Sequence, residues 1–130
     1  MTQESFENFS GIEVNVLPEF DSDNSNPEAS VFIYKYHIKI SNRGARTVQL
    51  KSRHWIIADA FDNVEEVRGP GVVGQTPVLS PGESFEYTSF CPLSTPTGSM
   101  KGSFNFALDD KSNFEVPVTE FKFKEKSLFN

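Results

Sequence analysis

The chain predicts a β-sandwich of seven to eight short antiparallel strands with Greek-key connections, and three observations lead there. Apolar residues recur at every second position in most segments, and no window of useful length carries them at helical period. Glycine, proline and asparagine turns return roughly every ten residues. The third is composition: thirteen phenylalanines against two methionines and one tryptophan suit an aromatic core of β type. At 130 residues the chain is sized for one domain with its own core.

Residues 1–10 are polar and read as a flexible arm ahead of a domain spanning 11–124, with 125–130 as a tail. Ile12, Val14 and Val16 alternate with Glu13 and Asn15 in a half-buried strand that Pro18 is expected to end. Residues 21–28 are an acidic turn-rich loop without the ligand order of a calcium-binding hand. In 31–41, Phe32, Tyr34, Tyr36, Ile38 and Ile40 face one way, and Lys35, His37 and Lys39 the other. Asn42, Arg43 and Gly44 turn the chain into a strand opened by Val48 and Leu50 and continued by Trp55, Ile56 and Ile57. Its apolar parity slips near 52–54, which predicts a bulge or a change of sheet. Asp62 and Asn63 predict a hairpin turn into 64–67.

After a glycine-rich stretch, Ser80-Pro81-Gly82-Glu83 reads as a turn. Phe85, Tyr87, Ser89 and Cys91 share one strand face, and Met100, Gly102, Phe104, Phe106 and Leu108 share another. In the last strand Phe121 and Phe123 break the parity of Phe114, Val116 and Val118, again implying a bulge.

The net charge of −6 argues against general nucleic-acid binding, which requires basic excess. One cysteine, Cys91, excludes an intrachain disulfide framework and fits a reducing compartment. The opening residues, with Glu4 and Glu7, carry no signal-peptide core, and no apolar run approaches the ~20 residues of a membrane span. The expected location is therefore the cytoplasm.

Several segments together resemble the ApaG family. They are Arg53-His54-Trp55-Ile56-Ile57, then Gly69-Pro70-Gly71-Val72-Val73-Gly74 with Pro77, then Pro81-Gly82 followed by Phe85, Tyr87, Thr88 and Ser89. Thr95-Pro96, Gly98, Met100 and Gly102 complete the pattern, which extends over 12–123. Phe90 departs from it, where family members often carry glycine. The resemblance implies an immunoglobulin-like or fibronectin type III-like sandwich. It also implies an association with cobalt and magnesium tolerance and with the neighbourhood of diadenosine tetraphosphate hydrolysis. A protein-binding role is implied by similar domains in eukaryotic proteins.

The glycine segment has Gly-x-Gly-x-x-Gly spacing at Gly69, Gly71 and Gly74, the pattern of a pyrophosphate loop. Such a loop needs a helix after it, and Pro77 and Pro81 follow instead. What remains is either an anion nest using the amides of Gly71, Val72, Val73 and Gly74, or a shaped connection where backbones approach closely. All four arginines lie between 43 and 68. Arg53 and Arg68, beside the family motifs, are the candidate anion ligands, while Arg43 and Arg46 are expected outward, paired with carboxylates such as Asp59, Glu65 or Glu66. Pro70, Gln75 and Pro77 are the candidate partner contacts.

His37, His54 and Cys91 match no metal-ligand spacing, so neither a metal site nor a cofactor is expected. No catalytic residue is expected either: Ser89 and Cys91 lack a nucleophile's context, and His54 with Asp59 is too generic for a dyad. Trp55 reads as a core aromatic or as an interface anchor. The leading expectation is a non-enzymatic module that binds a protein partner. The alternative is a phosphate or nucleotide sensor at the glycine segment.

Overall fold

A computed structural model of the protein describes residues 7–9 and 11–129 and shows an all-β sandwich. Nine strands are defined among the described residues. They are β1 (Glu7–Phe9), β2 (Ile12–Phe20), β3 (Phe32–Asn42), β4 (Val48–Asp59), β5 (Val64–Pro70), β6 (Val78–Leu79), β7 (Ser84–Leu93), β8 (Gly98–Leu108) and β9 (Asn113–Phe123). The seven long ones are those read from alternation. β1 falls within the segment read as an arm, the rest of which lies outside the described residues, and β6 follows the glycine segment.

The strands form two antiparallel sheets, β1-β2-β3-β7 and β5-β4-β8-β9, with β6 added to the start of β4. The chain crosses between layers from β3 to β4, returns after β6 and crosses again into β8, which is a fibronectin type III-like path. Inward residues alternate as the pattern required: Ile12, Val14 and Val16 on β2 are buried, as are Phe32, Tyr34, Tyr36, Ile38 and Ile40 on β3. Phe104, Phe106, Phe121 and Phe123 fill the facing sheet's inner surface, and Trp55 packs edge-on against Phe104 with ring centroids 5.4 Å apart. Trp55 is thus a core residue.

Both parity breaks are bulges. The β4–β8 register slips between Leu50 and Ser52, and the β8–β9 register slips between Met100 and Gly102. At the second slip Gly102 lies so close to the His54 carbonyl that no side chain fits. Pro18 does not end β2, which runs on to Phe20. The reason is that β1 covers only Ile12 to Val14, so β2 is an edge strand at Pro18, where a missing amide is tolerated. Asp59 closes the β4–β5 hairpin by accepting from the amides of Phe61 and Asn63 and from the Asn63 side chain.

Candidate functional site

The glycine segment leaves β5 at the free edge of its sheet. Gly69 lies opposite Arg53 in the β4–β5 ladder, and the Gly71 amide donates to the Lys51 carbonyl at the bulge. Val72 and Gln75 then exchange both backbone hydrogen bonds, each 2.8 Å, around Val73 and Gly74. Those central residues have φ of 44° and 78°, the positive pair a type I′ hairpin requires. Gly71, at φ 61°, packs against the Gln75 carbonyl with no room for a side chain. The segment is a tight hairpin in place of a loop opening a helix.

The side chains divide sharply. Val72 is fully buried and anchors the turn in the core, whereas Val73 is 50% exposed at its tip. Pro70 and Gln75 are exposed and Pro77 is half-buried, its carbonyl accepting from the Leu50 amide. The Gln49 side chain also donates to the Thr76 carbonyl, which stitches the descending limb to β4.

Register settles where the two candidate arginines point. Arg53 pairs with Gly69 and His54 with Arg68, and successive strand residues face opposite ways. Arg53 therefore shares the inner face with Trp55, while Arg68 and His54 share the outer one. The Arg53 Nη1 donates to the carbonyls of Pro70 and Gly71, both at 3.0 Å. A Cβ on Gly69 would come within 3.0 Å of that nitrogen, so the first glycine of the motif clears space for the guanidinium. The amides of Gly71, Val72 and Gln75 are already bonded, and those of Val73 and Gly74 have no partner among the described residues.

Arg53, His54, Arg68, Gly69, Pro70 and Glu115 are among the residues that line a shallow trough of about 420 Å³ along β4 and β5, so both candidate arginines border it although they start from opposite faces. Arg68 lies 3.7 Å from Glu66, which is also 3.7 Å from His54 Nε2. The remaining arginines point outward as expected but do not pair with Asp59, Glu65 or Glu66: the β2–β3 ladder puts Arg43 beside Glu13, and the β4–β8 ladder ends with Arg46 beside Asp109 and Asp110. Such exposed, salt-screened pairs add little to stability.

Inside, burial pushes the Cys91 thiol up to about 12, the state of an inert core cysteine. Tyr36 and Tyr87 are raised as well, mainly by burial, with the Arg53 charge opposing the rise in both. The tyrosines were legible in the sequence as inward residues. Their convergence on Arg53 was not, because it depends on how two sheets face each other. His37 is half-exposed between Thr88 at 2.8 Å and Glu86 at 2.7 Å. The ladder accounts for this trio, since His37 lies directly opposite Thr88 with Glu86 on the diagonal. Among the described residues no group of three or more His, Cys, Asp or Glu side chains is placed to hold a metal, and no helix is long and apolar enough to cross a membrane.

Fold and site together define a two-sheet, fibronectin type III-like sandwich with a rigid glycine hairpin at one sheet edge. The ApaG domain family model matches residues 22–108, and the chain belongs to that family. It is 51% identical over 110 residues to Protein ApaG of Rhodospirillum centenum, with 85% of each chain covered. It is 47% identical to Protein ApaG of Bordetella pertussis over 83% of this chain and 82% of that one. The crystal structure of the ApaA protein from Bordetella pertussis superposes with a TM-score of 0.86 at 44% identity, covering 88% of this chain and 94% of that chain. A second X-ray structure, of a structural genomics target, reaches 0.85 at 35% identity over 92% and 90%.

Proposed function

We propose that this ApaG-type sandwich is a non-enzymatic binding module that docks a protein partner through the hairpin at 69–77. One observation carries the reading. A β-branched residue, Val73, sits at positive φ on an exposed turn tip, a backbone state that disfavours valine and suits glycine or asparagine. Strain of this kind persists when surroundings over-determine it, and here buried Val72 and the Arg53 bonds hold the turn from beneath. The result is a pre-organised apolar knob flanked by Pro70, Gln75 and Pro77, which reduces the ordering cost of docking. The cobalt and magnesium tolerance that the family resemblance implies would then act through that partner. The test is capture of a soluble partner on immobilised wild-type protein and on Val73→Asn. The folded variant should lose the partner, and equal retention by both would refute docking through the tip.

The second reading is a small-anion or nucleotide sensor at the same segment, involving Arg53, Arg68 and the backbone of Gly69, Gly71, Val72, Val73 and Gly74. It is favoured by the unpartnered amides of Val73 and Gly74 at the hairpin tip. Amide NMR during titration with pyrophosphate tests it through the Val73 and Gly74 resonances. Their invariance at millimolar ligand removes the tip-amide form of the reading.

A further inference from the structure

Four side-chain atoms among the described residues are buried without a hydrogen-bond partner: Asn15 Oδ1, His54 Nε2, Trp55 Nε1 and the Tyr87 hydroxyl. Unsatisfied groups of this kind are few in native proteins and call for an explanation. Two of them, on Trp55 (2% exposed) and Tyr87 (7% exposed), come from opposite sheets onto the inner face of the sandwich. Tyr36, on β3 next to β7, has its ring 6.1 Å from that of Trp55.

Arg53 joins them from β4, two residues before Trp55 on the same face. It is half-buried, and no carboxylate of the described residues lies within ion-pair distance of it, whereas Arg43, Arg46 and Arg68 each have at least one. Only its Nη1 is bonded, to two carbonyls, which leaves Nε and Nη2 free among the described residues. A guanidinium and an indole N–H are donors only, and a tyrosine hydroxyl can donate. The cluster therefore has unused donors and a positive charge, and among the described residues it lacks a carboxylate counter-charge.

We infer that the inner face around Arg53, Trp55 and Tyr87 binds a small oxyanion, a carboxylate or phosphate group, held by the free donors of Arg53 and the Tyr87 hydroxyl beside the Trp55 indole. This rests on the second reading, that the chain binds an anion at all, and moves the ligand from the hairpin amides to the inner face. It also gives the glycine motif a role: Gly69 makes room for the guanidinium, and Gly71 closes the hairpin whose carbonyls hold it.

Trp55 is the chain's one tryptophan, so its emission and its single indole N–H resonance report on the site. The intact chain is titrated with inorganic phosphate and, separately, with acetate, at constant ionic strength against chloride. The arm that saturates identifies the ligand group. A saturable change at Trp55 is expected, together with a rise in melting temperature. Tyr87→Phe should weaken that affinity by about tenfold, the loss of one hydrogen bond to a charged ligand. Without ligand the variant should melt no lower than wild type, because it removes only an unpaired buried hydroxyl. Arg53→Gln should abolish the saturation. An absence of saturable change at Trp55 with either anion overturns the inference, as does an equal response of wild type and Tyr87→Phe. If pyrophosphate shifts the Val73 and Gly74 amides and leaves the Trp55 indole unmoved, the sensor reading survives and this site fails. If nothing shifts, both fail.

Discussion

Replacing Val73 with asparagine tests whether the hairpin tip holds backbone strain. A residue with a Cβ in the left-handed region loses roughly 1–2 kcal/mol, and a β-branched side chain falls at the upper end of that range. Asparagine is well tolerated there, and Asn-Gly is a preferred pair for a type I′ turn. Against the relief stands the half-buried valine side chain: full burial contributes at least about 1.5 kcal/mol, so half gives about 0.7. The net expectation is stabilisation by about 1 kcal/mol, equivalent to about 4 °C in melting temperature for a domain of this size. Urea unfolding at 25 °C, followed by the emission of buried Trp55, measures it. Val73→Ala is the control, since it keeps a Cβ at positive φ and loses contacts, and it should not stabilise. A neutral or destabilised Val73→Asn refutes the strain argument. A stabilised variant that also loses its partner would show that the strained tip serves binding at the expense of stability.

Gly102→Ala forces a methyl group into the His54 carbonyl at the second bulge and should destabilise by about 3 kcal/mol in the same urea assay. Tyr34→Phe removes the 2.7 Å hydrogen bond from the Tyr34 hydroxyl to the Pro96 carbonyl and should reduce stability by about 1 kcal/mol. Alkaline unfolding should steepen between about pH 9 and 12. Tyr34 and Cys91 are each raised in the folded state to about 12, from 10.0 and 9.0, so their contribution is complete below the unfolded values and is lost as pH rises through the folded ones. Circular dichroism against pH reads this, and a flat profile to pH 12 would contradict it. The Cys91 thiol should react with a disulfide reagent at pH 8 only as fast as the chain opens; rapid labelling of native protein would show that it is not buried.

Much of the fold was legible because period-two alternation records which face of each strand meets the core. The run from Phe32 to Ile40 and the run from Met100 to Leu108 both read correctly, and each parity slip marked a real bulge. Pro18 misled because its tolerance depends on whether a neighbouring strand needs its amide, and the shortness of β1 is not written in β2. The glycine segment was legible in part: the prolines after it showed that no phosphate-binding helix follows. Its type I′ turn was hidden, since valine is not a residue that announces positive φ.

Alternation, turn residues and motifs along the chain are enough to establish an all-β domain, its inward residues, its bulges and its family. What Arg53 and Arg68 can do depends on how the strands pair. They are both near the same glycines along the chain, yet the ladder registers Arg53 with Gly69 and His54 with Arg68, which starts the two side chains from opposite faces of one sheet. Likewise Tyr36, Tyr87, Trp55 and Arg53 meet because two sheets stack across a core, a juxtaposition set by long-range pairing that no local spacing encodes.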